Sequence, residues 1–208
     1  MGINAKLHMK NFKNVITCES NHAYYMQAKD RIEAIWGNHK PNIHKNINII
    51  NEDSKKLLHE LDYGQYIFYL DAHFYNPSAK PEDRFVVLNE LRNMRKFKDS
   101  IIIIHDFDNG LGHITYDGIN LNLKLLKPEL DKINKKFFFY TNTLEGCDIV
   151  KPNAKDIVEA GLTVDYETLD NLDYAWTAPR LTYRGILYCL PTKLTRSELN
   201  ELGLREWN

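Results

Sequence analysis

Two unbroken apolar runs dominate the chain, Tyr66-Ile67-Phe68-Tyr69-Leu70 and Ile101-Ile102-Ile103-Ile104, and an acid and a histidine follow each of them. Runs this short, without polar alternation and rich in aromatic and β-branched residues, predict strands covered on both faces, as in a parallel sheet. Similar runs lie at Asn14–Cys18, Asn46–Ile50, Lys136–Thr141 and Tyr183–Leu190. Between them the apolar spacing turns helical. His22–Trp36 brings Ala23, Met26, Ala28, Ile32 and Ile35 near one face, and Gly37 and Pro41 close it. Lys55–Leu61 follows Asp53 and Ser54, either of which can accept from the unbonded N–H groups of a first turn. A helix from Pro81 to Phe97 opens with proline and two acids, which suit the positive end of a helix dipole. Further helices are predicted over residues 3–13, 117–134 (disturbed at Pro128) and 197–207. Asp108–His113 reads as a Gly-rich loop, and residues 142–182 as an irregular insertion or lid before the last strand.

Strand and helix alternate in units of roughly 25 to 30 residues, the βαβ pattern of an α/β protein. Right-handed crossovers then bring Glu19, Asp53, Asp71 and Asp106 to one edge of a single sheet. The 208 residues suit one domain, 1–208, with a sizeable core. With 27 basic and 28 acidic side chains, the formal net charge is -1, which predicts neither a nucleic-acid partner nor an anionic membrane. Cys18, Cys147 and Cys189 form no C-x-x-C pair, which argues for a reducing, cytoplasmic compartment and against structural zinc. No stretch approaches the roughly 18 consecutive apolar residues of a membrane helix. Lys6, His8, Lys10 and Lys13 interrupt any secretory signal and otherwise read as a solvated helix face.

Ligands of open α/β sheets bind outside the carboxyl ends of the strands. Asp71 with His73, and His105 with Asp106, stand at two such ends, and acids ending buried strands are uncommon without a ligand or partner. His73 or His105 suits a general base, because an unperturbed imidazole titrates near neutrality. The competing reading of either is a structural histidine–carboxylate pair. Asp53-Ser54 reads equally well as a helix cap. Tyr174, Trp176 and Arg180 read first as core, and second as a substrate wall.

At these residues the chain resembles a class I S-adenosylmethionine-dependent methyltransferase, most closely the small methyltransferase-like proteins of glycan and natural-product pathways. Leu70-Asp71-Ala72-His73 matches the family's fourth strand and His105-Asp106 the pair that ends its fifth. The resemblance spans residues 2–190. It implies that Glu19, with Ser20 beside it, accepts from the ribose hydroxyls, since a carboxylate offers two acceptors to a vicinal diol. It places Asp53-Ser54 at the adenine edge and Asp71 near the methionine end. Gly2 matches the last glycine of the family's acid-x-Gly-x-x-x-Gly loop, and no first strand precedes it.

The expected fold is therefore α/β: a Rossmann-like, mostly parallel sheet with flanking helices and a C-terminal antiparallel hairpin, truncated at the N-terminus. The vacant strand position calls for a cover: a second subunit in a homo-oligomer, a rearranged terminus or a reordered sheet. Metal-dependent O-methyltransferases of this kind place a divalent ion such as Mg²⁺ on two acids, here Asp71 and Asp106. Phe107 stands where the third ligand is expected, so Asp108, Asn109 or His73 would substitute, histidine favouring Mn²⁺ or Fe²⁺. The implied activity is methyl transfer to a hydroxyl of a sugar or another small metabolite. A non-catalytic binding or assembly module that has lost the cofactor is the alternative, and a metal-dependent hydrolase or lyase a lesser one.

Overall fold

The computed structural model describes residues 14–36, 47–71, 78–80, 84–110, 119–143 and 185–207, with the backbone alone for 31–36. The chain forms two compact units, Met1–Leu61 with Pro152–Tyr166, and Asp62–Lys151 with Glu167–Asn208.

In the first unit, β1 (Val15–Cys18), α1 (His22–Trp36), β2 (Ile47–Ile50) and α2 (Ser54–Glu60) follow in order. β1 and β2 pair in parallel from Val15↔Ile47 to Cys18↔Ile50. Both helices start where a side chain serves the free amides of the first turn. Asn21 Oδ1 accepts from Ala23 N at 2.9 Å, and Asp53 Oδ1 from Lys55 N at 2.9 Å.

The second unit comprises β3 (Ile67–Leu70), α3 (Val86–Asn93), β4 (Ile101–Ile104), α4 (Leu123–Ile133), β5 (Phe138–Asn142), β6 (Leu187–Leu190), α5 (Arg196–Leu202) and β7 (Leu204–Glu206). Its sheet has the order β3-β4-β6-β5-β7. β3 and β4 are parallel, whereas β6 runs antiparallel to both β4 and β5, and β7 antiparallel to β5. Alternation along the strands puts Phe68, Leu70, Ile102, Ile104, Leu187 and Cys189 on one face, all buried. Leu91 of α3 and Leu126 and Leu130 of α4 are fully buried and complete this core.

The α/β class holds, and the antiparallel pairing of β5 with β6 is as expected. The strands do not form one sheet, however. Among the described residues they form a parallel pair and a mixed five-stranded sheet, so Glu19 and Asp53 end strands of one, and Asp71 and Asp106 adjoin strands of the other. The helix predicted to reach Trp207 ends at Leu202, because Gly203 takes the left-handed conformation (φ 62°, ψ 38°) and its N–H closes the last turn on Leu199 and Asn200. The chain then turns into β7. α4 begins six residues later than expected, at Leu123, where Asn122 Oδ1 accepts from Leu125 N, and it continues through Pro128. The helix predicted over 3–13, the opening turn Pro81–Asp83 and residues 144–182 of the insertion lie outside the described residues.

Candidate functional site: an Asp–His–Asp cluster at adjacent strand ends

The register that pairs Leu70 with Ile104 sets Asp71 beside His105, and His105 N donates to Leu70 O at 3.0 Å, carrying the ladder one step past the strands. His105 Nδ1 lies 2.9 Å from Asp71 Oδ1 and 3.2 Å from Asp106 Oδ1. The Asp106 side chain is 5% exposed and that of Asp71 27%, so the cluster opens toward solvent on the Asp71 side. Neighbours on a strand point to opposite faces, and an extended Asp106 would point away from His105. It reaches the ring because its backbone turns left-handed, at φ 58°. Aspartate tolerates that region better than most residues, at a cost of about 1–2 kcal/mol.

The turn is held by what lies against it. Phe107 N donates to Gly185 O at 2.9 Å, and a Cβ on Gly185 would meet Phe107 O at 1.9 Å, so no other residue fits there. Asn109, buried, donates to Asn142 O (3.4 Å) and Oδ1 (3.3 Å). Asn142 Oδ1 also accepts from Ile186 N at 2.8 Å, tying the loop to the start of β6.

Burial is the largest single influence on His105 and pushes its pKa down. The hydrogen bonds and charges of Asp106 and Asp71 together outweigh it, and the net shift is upward from 6.5. The ring is thus held as a cation between two carboxylates over a wider pH range than a free histidine. Tyr69 lies beside it, with ring centroids 6.0 Å apart. Asp71, His105 and Asp106 each offer one ligand atom, and these atoms lie within 4.8 Å of one another.

Asp108, expected among the metal ligands, is not brought into this group. Past the left-handed turn its carboxylate serves the loop, with Oδ1 accepting from Gly110 N at 3.1 Å and Oδ2 from Asn120 Nδ2 at 2.5 Å. His73 and Gly2 lie outside the described residues, as do Tyr174, Trp176 and Arg180.

The expected nucleoside-binding residues sit at the carboxyl ends of β1 and β2. Glu19 N continues the ladder to Ile50 O (3.1 Å), and Glu19 Oε1 accepts from Asn21 N (2.8 Å). Asp53 caps α2 and also pairs with Lys55 Nζ at 3.2 Å; Ser54 is the first helical residue, and Ser20 is exposed. Asn51 joins the two strand ends, donating to Glu19 O at 2.8 Å and meeting His22 Nδ1 through Oδ1 at 2.8 Å. Asn51, Gly185 and Asn142 lie beyond the sequence expectations for the site. Only Gly185 carried a signal, since glycine inside a strand-like run marks a close backbone approach.

Neither the family models nor the curated proteins contain a match to this chain. Among solved structures it is similar to the protein LPL1258 of Legionella pneumophila (strain Philadelphia 1), described by the family model DUF519, at 10% identity and a TM-score of 0.46. The match covers 94% of this chain and 56% of that one, so the chain spans little more than half the length of that protein. A likeness at this level assigns no activity. Fold and site together define an α/β protein with an Asp–His–Asp cluster at adjacent parallel strand ends.

Proposed function

We propose that the protein is an S-adenosylmethionine-dependent methyltransferase acting on a hydroxyl of a sugar or another small metabolite, with Rossmann-like ancestry for its parallel strands. The observation that carries this reading is the contact of His105 with Asp71 and Asp106 at the carboxyl ends of β3 and β4, where such sheets bind ligands. The antiparallel insertion of β6 between β4 and β5 supports the reading, since the resemblance implies a closing antiparallel hairpin.

S-adenosylmethionine supplies an electrophilic sulfonium methyl group when bound. His105 would take the proton that the acceptor hydroxyl loses as the methyl group passes from sulfur to oxygen and leaves a neutral thioether behind, and Asp71 and Asp106 hold the ring in place and would stabilise the imidazolium that results. Because these carboxylates raise the pKa of His105, its base form appears only at higher pH than that of a free histidine, and turnover rises through that range. The resemblance assigns the nucleoside to Glu19, Ser20, Asp53 and Ser54, all of the first unit. The O/N/O donor set of Asp71, His105 and Asp106 fits a divalent cation, with His105 in the place foreseen for Asp108. A metal there would polarise the acceptor oxygen, and His105 would then be ligand rather than base.

Calorimetry of the intact chain with S-adenosylhomocysteine tests the proposal. Saturable binding that weakens in Glu19→Gln supports it; no binding sinks it. A second reading, a methyltransferase-like assembly module without cofactor, is favoured by one observation: among the described residues β1 and β2 form a two-stranded sheet. That reading expects a stable oligomer by light scattering together with silent calorimetry.

A further inference from the structure

The loop that carries His105 and Asp106 is gripped from an unexpected side, by the segment that ends the described chain. Arg205 Nη2 donates to Asn109 O at 2.7 Å, and the Arg205 guanidinium lies 5.0 Å from the centroid of the Trp207 ring. Trp207 in turn meets Phe107 edge-on, with ring centroids 5.5 Å apart. Arg205 and Trp207 are two residues apart on an extended segment, so they share one face of the sheet. Trp207 N donates to Phe139 O at 2.9 Å, which keeps that segment in the ladder beyond β7. One end of the segment is fastened as well, since Thr143 N and Oγ1 both donate to Gly203 O, at 2.9 and 3.1 Å.

A non-glycine residue at φ 58° persists only where its surroundings over-determine it. Gly185 and Asn142 hold the loop from β6 and β5, while Arg205 and Trp207 hold it from β7. We propose that Arg205 and Trp207 are positioning residues for the Asp71–His105–Asp106 site, acting through the 105–110 loop. The inference rests on the reading of that cluster as the reacting site and adds the C-terminal strand to its machinery. Arginine suits this task where lysine does not, because a planar guanidinium can stack on an indole while a directed N–H reaches a carbonyl.

Nuclear magnetic resonance of the intact chain with amide exchange, without any methyl donor, tests it. In Arg205→Met the Phe107 and Asp108 amides, bonded to Gly185 O and Leu121 O, are expected to exchange about tenfold faster, while Ile101 N, bonded to Tyr66 O, keeps its protection. The ¹⁵N shifts of the His105 ring should move at constant pH, and Arg205→Lys should recover only part of the effect. Trp207→Phe, a milder change that keeps an aromatic edge on Phe107, should move the same signals in the same direction. Lys193→Ala removes the Lys193–Glu206 ion pair (3.3 Å) from the same strand and should leave them in place. Unchanged His105, Phe107 and Asp108 signals in Arg205→Met overturn the proposal. So does an equal acceleration of Ile101, which would make β7 a general stabiliser only. Silent calorimetry with S-adenosylhomocysteine would defeat the methyltransferase reading yet leave these exchange results standing, so the two failures are distinguishable.

Discussion

His105 sits between two carboxylates, and its protonation is where the site can be interrogated most directly. Followed by NMR, its ring should titrate above the ordinary value of 6.5, and Asp106→Asn, which removes the charge of the more buried of the two carboxylates, should lower that midpoint. The paired imidazolium stabilises the fold fully below 6.5, and this contribution is lost as pH rises through the raised folded value. Gly185 leaves no room for a side chain. Gly185→Ala forces a methyl group against Phe107 O, and equilibrium unfolding should report a loss of about 3 kcal/mol with the cluster displaced. A loss below about 0.5 kcal/mol would show that the loop yields easily.

The short C-terminal helix depends on its two ends. At its start Thr195 and Glu198 form a reciprocal capping box, Thr195 N donating to Glu198 Oε2 at 2.7 Å and Glu198 N to Thr195 Oγ1 at 3.3 Å. Hydrogen bonds from the Thr195 backbone and then its side chain hold the Glu198 carboxyl below its ordinary 4.5. At its end Gly203 supplies the left-handed residue that turns the chain into β7. Thr195→Ala should cost about 1 kcal/mol in equilibrium unfolding. Gly203→Ala should cost about 1–2 kcal/mol and, by tilting β7, loosen Arg205 from Asn109 as well. If Gly203→Ala destabilises the fold without altering the Phe107 amide, helix end and loop are energetically separate.

In the second unit, α3 and α4 are joined across their buried faces by Glu129, which accepts from Arg92 Nε at 3.4 Å and Lys132 Nζ at 3.0 Å. Burial pushes the Glu129 carboxyl up, but Lys132 and then Arg92 outweigh it, and the net shift is downward from 4.5. Its stabilisation is present above pH 4.5 and is lost as pH falls through the lowered folded value. Combined with the opposite dependence of His105, this predicts a stability maximum between about pH 4.5 and 6.5 for metal-free protein. Thermal melts across pH check it: Glu129→Gln should flatten the acid limb and His105→Gln the alkaline limb. Melts that stay parallel to wild type on both sides would remove both assignments.

What could be read from the order of residues was mostly local. The runs Ile67–Leu70 and Ile101–Ile104 are apolar throughout, yet the expected cover on both faces is not found: Phe68, Leu70, Ile102 and Ile104 are buried on one face, while Ile67 on the other is exposed; their ends at Asp71 and His105 follow from the abrupt change in polarity. The cap at Asp53 acts over two residues and is equally legible, whereas Asn122, which starts α4 six residues past the expected position, is not singled out by the pattern. Apart from the antiparallel β5–β6 pair that the resemblance implies, strand order and register were beyond reach, since they depend on contacts between residues far apart in the chain. The split into two sheets, the insertion of β6 between β4 and β5, and the conversion of the last residues into β7 are all of that kind. The ligand set shows the difference most clearly. Asp71, His105 and Asp106 stood out from their positions alone, but that Asp106 joins the cluster while Asp108 turns to Gly110 and Asn120 depends on one left-handed backbone angle. That angle is maintained by Gly185, Asn142 and Arg205, residues 79, 36 and 99 positions away, whose approach no local pattern encodes.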